Sequence, residues 1–256
     1  MAPAILKTQF SSDRNLSFSV IIPAYNEEKL LPATLANLHK AMDTLDLQGE
    51  VIIVDNNSTD NTAQIAKDHG ARVIFEPFRQ IAKARNRGAG IARSNIFIFL
   101  DADTILPPQL LQKSLRLLGS GNYCGGGSVI RYDSKLPALA NILVNLWNNL
   151  STKGNLAAGS FIFCLATGFK EIGGFDEQTF AAEEISFSRR LKQWGKANDL
   201  LFTIISDFPV ITSDRKFHWY SSLQLAFLLL LFMLFPPALR NRTLCSFWYR
   251  RPDQPF

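Results

Sequence analysis

The sequence predicts an α/β protein in which a mostly parallel central sheet is flanked by helices. Short runs rich in Ile, Val and Phe occupy residues 18–22, 50–54 and 96–100, and such runs are typical of strands buried on both faces. Segments whose apolar residues recur at helical spacing lie between these runs. The alternation of strand and helix along the chain is the pattern of a parallel sheet with crossover helices.

The composition excludes several classes of protein. With 256 residues, 47% of them hydrophobic and 19% charged, the chain can bury one large core. The net charge of +5 comes without a basic stripe interleaved with aromatic residues, which argues against a nucleic-acid binder and fits a surface that meets anionic lipid or a phosphorylated substrate. The three cysteines lie far apart, so they predict no disulfide framework and favour a reducing compartment.

Caps, glycine and proline breakers and apolar periodicity place the remaining elements. Those of the first half are a polar lead-in over 1–17, a strand that Pro23 ends, a helix capped by Asn26 and ended by Gly49, a loop over 55–60, a helix stopped by Gly70, a strand over 73–75 and a helix over 83–93. Those of the second half are a turn or tight strand at 125–127, an amphipathic helix over 136–150, a strand over 159–165, and a glycine-rich turn followed by a helix that stops at Gly195.

Two carboxylates, Asp101 and Asp103, directly follow the apolar run 96–100. They therefore lie at or just past the carboxyl end of a strand, and ligands bind at that edge of an open α/β sheet. Neighbouring carboxylates repel each other unless a cation or hydrogen bonds compensate them. A divalent ion carrying a diphosphate would do so, because magnesium prefers few protein oxygens plus substrate phosphates. The alternative is a solvated turn, since a D-x-D pair is a weak motif by itself.

A long uncharged segment lies near the C-terminus. Residues 217–239 contain no Asp, Glu, Lys or Arg, and the segment is long enough to cross a bilayer in principle. Polar residues and the Pro236–Pro237 pair shorten its apolar part, which favours a re-entrant or in-plane helix. Possible interfacial anchors on its two sides are Trp219, Tyr220, Trp248, Tyr249, Arg250 and Arg251. We expect residues 217–256 to form an apolar, membrane-associated helical tail; a buried core helix is the alternative.

Five motifs in a fixed order resemble those of glycosyltransferase family 2. They are PAYNE after the first strand, DNNSTDNT after the second, DAD after the fourth, and then GGFDE and EEISFSRRL. The resemblance covers about residues 18–200, most of the chain. It implies the A-type glycosyltransferase fold and an inverting reaction that uses a nucleotide-diphospho-sugar donor and a divalent metal, Mn or Mg.

The resemblance also implies a role for each residue that matches a motif. In the nucleotide and diphosphate site these are Pro23, Ala24, Tyr25 and Glu27 around the nucleotide, Asp55 at the base, and Lys83 and Arg85 near the diphosphate. Asp103 would be the main metal ligand and part of the catalytic centre, while Asp101 would meet the ribose or the metal. Glu184 would be the general base for the acceptor hydroxyl, with Glu183 as the second candidate.

Each of these residues also has a purely structural interpretation. Lys83 and Arg85 fit the solvated face of a helix, and Glu183 and Glu184 fit acids favoured by a helix dipole. After the last strand of the domain, Arg215, Lys216 and His218 could reach back to a metal or diphosphate. For His218 the structural interpretation is the stronger one.

The chain departs from the family pattern at three places. Asn56 follows Asp55 where the family often has a second aspartate, so base recognition would rest on Asp55 alone. Glu184 stands where an aspartate is usual, and its extra methylene displaces the carboxylate. The stretch 190–194 lacks the Q-x-x-R-W signature of processive synthases, which indicates transfer of a single sugar.

The hypothesis is therefore a catalytic domain over residues 18–216 that passes one sugar to a lipid or lipid-linked molecule of the cell envelope. It would work at the cytoplasmic side of the plasma membrane, held peripherally or by a single re-entrant anchor. One alternative is a protein that binds nucleotide-sugars without transferring them. Another is a sugar nucleotidyltransferase, which would need a glycine-rich basic loop after the first strand, where this chain has PAYNE.

Overall fold

The computed structural model describes residues 16–220, 224, 227, 230–232 and 234–249. The strands are β1 (Ser17–Ala24), β2 (Gln48–Asp55), β3 (Arg72–Phe75), β4 (Ile96–Leu100), β5 (Thr104–Ile105), β6 (Tyr123–Tyr132), β7 (Phe161–Leu165) and β8 (Leu201–Thr212). The helices are α1 (Leu31–Met42), α2 (Thr62–Asp68), α3 (Ile81–Ile91), α4 (Pro108–Gly119), α5 (Ala138–Gly154), α6 (Ala166–Glu171), α7 (Glu183–Ala197), α8 (Arg215–Trp219), a 3₁₀ turn (Pro236–Arg240) and α9 (Ser246–Tyr249).

The strands form one sheet in the order β3-β2-β1-β4-β7-β6-β8-β5. Strands β1 to β4 are mutually parallel, and β7 runs against both β4 and β6. Because β6 is thereby aligned with β4, and β8 is parallel to β6, six strands share one direction. Only β7 and β5, which opposes β8, run the other way. The predicted α/β architecture with a mostly parallel sheet is confirmed.

Strand β4 lies at the centre of the core, and each of its five residues is buried. Ile96, Ile98 and Leu100 face the layer that contains α1 and α4, while Phe97 and Phe99 face the opposite layer. On that second side, Phe99 packs edge-on against Phe175 with ring centroids 4.9 Å apart, among other aromatic rings. These rings lie before and within α7, so they fix the start of that helix against the sheet.

Three local predictions about the first elements are wrong. Strand β1 continues through Pro23 to Ala24, since β4 pairs with β1 only as far as Ile21 and the proline has no partner strand on that side. Asn26 does not cap α1; it adopts a left-handed φ of 51° and bonds across to the next loop. Gly49 lies in β2, where the Phe18 ring packs against its α-carbon, because α1 already ends at Met42.

Further along the chain, helix ends shift by a few residues, and the glycine run predicted as a turn or tight strand is a strand. Helix α3 spans 81–91 rather than 83–93, and α7 runs through Gly195 to Ala197. The glycine run 125–127 lies inside β6, where the chains approach closely. A Cβ on Gly126 would lie 2.1 Å from the Thr203 carbonyl oxygen, so no other residue fits there.

We expect Gly126→Ala to destabilise the protein by about 3 kcal/mol, at the upper end of overpacking costs, because backbone cannot move aside as a side chain would. The control is Gly90→Ala in α3, where a Cβ meets nothing within 4 Å. That change should be neutral or stabilise by up to about 1 kcal/mol. Chemical denaturation measures both; equal effects of the two variants would contradict the close approach.

The described part of the C-terminal segment packs against the loops before α3 and α7. The Phe180 amide donates to the Leu239 carbonyl at 2.7 Å, and Arg79 Nη2 donates to the Tyr249 carbonyl at 2.8 Å. Tyr249 is thus a packing residue here, although we predicted it as an interfacial anchor; Arg250, Arg251 and the Trp248 side chain lie outside the described residues. None of the helices in the described part of the chain has the length and apolar character that a bilayer crossing needs.

Candidate functional site

A cavity of about 100 Å³ opens at the carboxyl ends of β1, β2 and β4. Its walls include the predicted residues Pro23, Ala24, Tyr25, Glu27, Asp101 and Asp103, and also Asn56, Arg79, Ile81, Ala102, Arg215, Trp219, Phe247 and Tyr249. Its volume is below the roughly 300–1,000 Å³ of typical ligand pockets. The reason is visible in its walls, since side chains of α8 and α9 cover the strand ends. We call it the strand-end cavity.

Hydrogen bonds join the loops that follow β1 and β2. The Asn26 side chain accepts from the Thr59 amide at 2.8 Å, and the Glu27 amide donates to Thr62 Oγ1 at 2.7 Å. Buried Asp55 accepts from the Ser58 amide at 2.9 Å, which shapes the second loop. The PAYNE and DNNSTDNT motifs therefore form one rigid unit beside the cavity.

Arg85 connects the end of β4 to the start of α7. Its guanidinium is buried, and it donates to Glu183 at 2.8 Å, to Asp101 at 3.0 Å and to the Gly159 carbonyl at 2.7 Å. Burial acts to lower the pKa of Arg85, but the charges of the surrounding carboxylates outweigh it and raise the pKa. Arg85 thus stays charged and holds two acidic segments together.

A second arginine compensates the other carboxylates of the cavity. Arg215, at the start of α8, donates to both oxygens of Glu27 at 2.7 and 2.6 Å and lies 2.8 Å from Asp103 Oδ2. Burial opposes its charge, yet the hydrogen bonds and charge of Glu27, with Asp103, raise the pKa of Arg215. The expectation that Arg215 reaches back to the strand ends fits this position. His218, by contrast, is exposed and pairs with Asp214 at 3.0 Å.

Glu184 is a half-buried ionisable group in a strongly charged environment. It is the second residue of α7, after Ala182, which holds a left-handed φ of 56°. Burial, helped by the charges of Glu183 and Asp101 and opposed by Arg85, raises the pKa of Glu184 from 4.5 to about 8. A carboxylate with a pKa near neutrality can accept a proton from a hydroxyl far better than an ordinary one.

The structure separates the predicted site residues into three groups. The first lines the strand-end cavity and consists of Pro23, Ala24, Tyr25, Glu27, Asp101 and Asp103. The second is not among the described residues that line the cavity and consists of Asp55, Arg85, Glu183 and Glu184, of which Arg85 and Glu183 bond to each other. Lys83 stands apart, because its Nζ lies 4.4 Å from the centre of the Phe78 ring. Neither Lys83 nor Arg85 is among the described residues that line the cavity.

Sequence reasoning missed Arg79 and the aromatic cover of the cavity. The Arg79 guanidinium lies 3.6 Å from the centre of the Tyr25 ring, in cation–π contact. Arg79 follows no motif, and the aromatic residues near the C-terminus, Trp219 and Tyr249, had a simpler interpretation as membrane anchors. A contact between residues 170 positions apart, such as that between Arg79 and Tyr249, leaves no local pattern in the sequence.

The carboxylate oxygens at the cavity wall are ligands that suit a hard divalent cation. Asp101 and Asp103 offer carboxylate oxygens at its wall, and their side chains are 35% and 10% exposed. Within the described residues, no three His, Cys, Asp or Glu side chains converge to hold a metal by themselves. A cation with few protein oxygens would need phosphate oxygens from a ligand, which is the usual arrangement for magnesium.

The sequence of this chain is similar to those of known glycosyltransferases. The family model described as "Glycosyl transferase family 2" matches residues 19–168, more than half of the chain. An uncharacterized glycosyltransferase of Mycobacterium tuberculosis is 37% identical over 103 residues, which are 40% of this chain and 44% of that protein. The undecaprenyl-phosphate 4-deoxy-4-formamido-L-arabinose transferase of Pseudomonas fluorescens is 32% identical over 143 residues, 52% of this chain and 42% of that protein. The matches thus span less than half of either relative.

Solved structures agree with the fold. The mannosyltransferase PcManGT from Pyrobaculum calidifontis, in complex with GDP-Man and Mn2+, has a TM-score of 0.61 at 19% identity, over 87% of this chain and 68% of that one. S. aureus TarS 1–349 in complex with UDP-GlcNAc has a TM-score of 0.60 at 18% identity, over 93% and 74% of the two chains. With the family match, the motif order and the shared A-type fold, the chain belongs to glycosyltransferase family 2.

Proposed function

We propose that this protein is a metal-dependent, inverting glycosyltransferase that moves one sugar from a nucleotide-diphospho-sugar to a hydroxyl of a lipid-linked or membrane-proximal acceptor. The observation that carries the proposal is the position of Glu184. A carboxylate with a pKa raised to about 8 lies beside Asp101, at the edge of the sheet where the donor would bind. Inversion in one step needs such a base on the acceptor side and a compensated diphosphate on the donor side.

The acceptor side would be organised by the start of α7. Glu184 would take the proton of the acceptor hydroxyl as that oxygen attacks the anomeric carbon and the bond to the diphosphate breaks. Glu183 would act as a positioning residue, because its carboxylate is already bound to Arg85 at 2.8 Å and is 5% exposed. The extra methylene of Glu184, compared with the aspartate usual in the family, extends the base toward the acceptor.

The donor side would use the cations that line the cavity. Arg215 and Arg79 are both at its wall, whereas the predicted diphosphate residues Lys83 and Arg85 are not. We therefore assign the contact with the diphosphate to Arg215 and Arg79, and we keep Lys83 and Arg85 as supporting residues. Since Arg79 covers the Tyr25 ring at 3.6 Å, a nucleotide base that stacks on this ring must displace the guanidinium.

Asp103, with Asp101, would hold the divalent cation, Mn or Mg. When bound, such an ion supplies charge neutralisation for the leaving diphosphate. Arg215 holds Asp103 in place through the 2.8 Å contact with Oδ2. The mannosyltransferase relative of known structure was crystallised with GDP-Man and Mn2+, which supports the same class of donor and metal here.

The nature of the acceptor is supported by a relative and by the chemistry of the base. One relative is named an undecaprenyl-phosphate 4-deoxy-4-formamido-L-arabinose transferase, and undecaprenyl phosphate is a lipid, which supports an acceptor at a membrane. A lipid phosphate is already ionised at neutral pH and needs no base. The raised pKa of Glu184 therefore favours a hydroxyl on the lipid-linked molecule.

The experiment is a donor screen followed by a transfer assay. Thermal shift with Mn and a set of UDP-, GDP- and dTDP-sugars identifies the donor, because a ligand that binds the folded state raises Tm. Hydrolysis or transfer of that donor then tests the reaction. The two measurements are the release of the nucleoside diphosphate and the anomeric configuration of the product. A donor that binds without turnover would support a silent binding protein, and release of diphosphate from a nucleoside triphosphate would support a nucleotidyltransferase.

We expect Asp103→Asn to weaken metal-dependent donor binding by at least about tenfold while the fold survives, since asparagine keeps the shape and can still accept from Arg215. Calorimetric titration of donor with and without Mn measures this change. Asp199→Asn is the control, because Asp199 is exposed and has a left-handed φ of 56° that asparagine tolerates. If the Asp103 variant binds donor and Mn like the unmodified protein, the strand-end cavity is not the metal site.

A further inference from the structure

Helix α5 exposes an apolar face that packs against nothing described. Leu139, Ile142, Leu146 and Leu150 are 39%, 63%, 53% and 52% exposed, and their spacing of three or four residues aligns them on one side of the helix. We call these four residues the α5 stripe. Single exposed leucines are common on soluble proteins, but an aligned row of four is characteristic of an interaction surface.

The other faces of α5 show that the stripe is not a consequence of a uniformly apolar helix. Its inner face carries buried Ala140 and Ser151, and Asn148 exchanges two 2.9 Å hydrogen bonds with the backbone of Ile130 in β6. Its remaining exposed side carries polar residues, Asn141, Asn145, Asn149 and Thr152. The helix is therefore fixed to the sheet by one face and keeps separate polar and apolar faces outward.

The charges around the stripe favour an anionic partner. No Asp or Glu occurs between Ser134 and Lys170. Lys135 and Lys153 are exposed at the two ends of α5, and Lys192 donates to the Gly154 carbonyl at 2.6 Å. Long basic side chains at the ends of an apolar stripe can reach lipid phosphates while the stripe enters the acyl boundary.

The C-terminal end of α5 leads directly to the candidate site. Five residues after Gly154 the chain reaches Gly159, whose carbonyl accepts from Arg85 and where a Cβ would lie 3.8 Å from Glu184 Cδ. The C-terminal end of α5 is therefore close in the chain to the proposed base, so a membrane in contact with the helix would lie near the acceptor side.

We infer that the α5 stripe is the surface through which the protein lies on an anionic lipid bilayer. This deepens the proposed function and rests on it, because it names the face that brings a membrane-bound acceptor to Glu184. It also moves the main membrane contact from the C-terminal segment, where the sequence predicts it, to a helix between β6 and β7. The stripe enters the interface in plane, with Lys135 and Lys153 at the lipid phosphates.

The test is co-sedimentation of the full chain with vesicles of phosphatidylethanolamine and phosphatidylglycerol, compared with vesicles of phosphatidylcholine alone. The double variant Ile142→Gln/Leu146→Gln should lower the partition coefficient on the anionic vesicles roughly thirtyfold to a hundredfold, since both side chains are already exposed and the fold is not at risk. The double variant Lys135→Gln/Lys153→Gln should remove the preference for the anionic vesicles.

A matched control is Phe227→Gln/Leu234→Gln, which removes two exposed apolar side chains of the C-terminal segment, 66% and 76% exposed. Binding that depends on this pair and not on Ile142 and Leu146 would overturn the inference. So would an α5 variant that turns a dimer into a monomer while it sediments with vesicles as before, because the stripe would then be a subunit interface.

A second readout reports which face enters the lipid. Ile142→Cys, labelled with an environment-sensitive dye, should gain fluorescence on anionic vesicles, and the same dye at Asn141→Cys on the polar face should gain little. Equal gains at both positions would contradict an in-plane stripe. Because these measurements need neither donor nor acceptor, a protein that binds vesicles and transfers no sugar refutes only the proposed function.

Discussion

Replacement of Glu184 by glutamine is expected to lower turnover at least about a hundredfold and leave donor affinity nearly unchanged. Glutamine has the same size and can still bond to a hydroxyl, but it cannot accept the proton. Donor affinity should persist because Glu184 is not among the residues that line the strand-end cavity. Single-turnover rates with the donor found by the screen measure the first quantity, and calorimetric titration measures the second.

The pH dependence of the unmodified protein provides an independent check. A base must be deprotonated to act, so kcat/KM should rise with pH and level off above about pH 8, the pKa of Glu184. Glu183→Gln removes the neighbouring negative charge that contributes to the raised pKa, so its profile should shift to lower pH while turnover at high pH falls little. A larger loss of turnover in Glu183→Gln than in Glu184→Gln would assign the general base to Glu183. Near-normal rates for both variants would show that neither residue is the base.

Glu184→Gln should also change the stability of the protein, in a direction that depends on pH because the pKa of Glu184 differs between the folded and unfolded states. The pKa of Glu184 is higher in the folded protein than the ordinary 4.5, so its contribution to stability is full below pH 4.5 and is lost as the pH rises through about 8. Glu184→Gln carries no charge at any pH. We therefore expect its Tm to equal or trail that of the unmodified protein at pH 5 and to exceed it at pH 9.

Local patterns were sufficient to predict the central part of the fold. Residues 96–100 form a strand because their apolar run can only be buried on both faces, and Asp101 and Asp103 follow it at the sheet edge. Glu183 begins α7 as the helix-start acids predict. Each of these inferences depends only on residues that are close in the sequence, and apolar periodicity and helix capping are patterns of such residues.

Distant segments decide what local patterns leave open. The glycine run 125–127 fitted a turn or a tight strand, and the strand is the outcome because the carbonyl of Thr203 in β8 excludes any side chain at Gly126. Arg85 fitted the solvated face of a helix in its structural interpretation, but it is buried, and its three acceptors follow β4, precede β7 and lie in α7. Neither relation has a signature near the residue itself.

Loss of Arg85 should therefore have a large effect on stability. Arg85→Met has a similar length and no charge, and it leaves Asp101 and Glu183 without their common partner. Removing one member of a buried ion pair costs about 3–5 kcal/mol, and the lower end applies here because the Asp101 side chain is 35% exposed. Denaturant unfolding at pH 7.5 measures the change. Arg87→Met is the control, since Arg87 is an exposed residue of the same helix and its replacement should cost little.

The charge on Arg85, rather than its packing, is the proposed cause, and a lysine at this position separates the two. Arg85→Lys should recover part of the stability, because it keeps the charge but cannot reach three acceptors at once. Arg85 also lowers the pKa of Glu184. Any turnover that survives in Arg85→Met should therefore need a higher pH, the opposite of the shift expected for Glu183→Gln; a profile that stays in place would show that Arg85 does not act on the base.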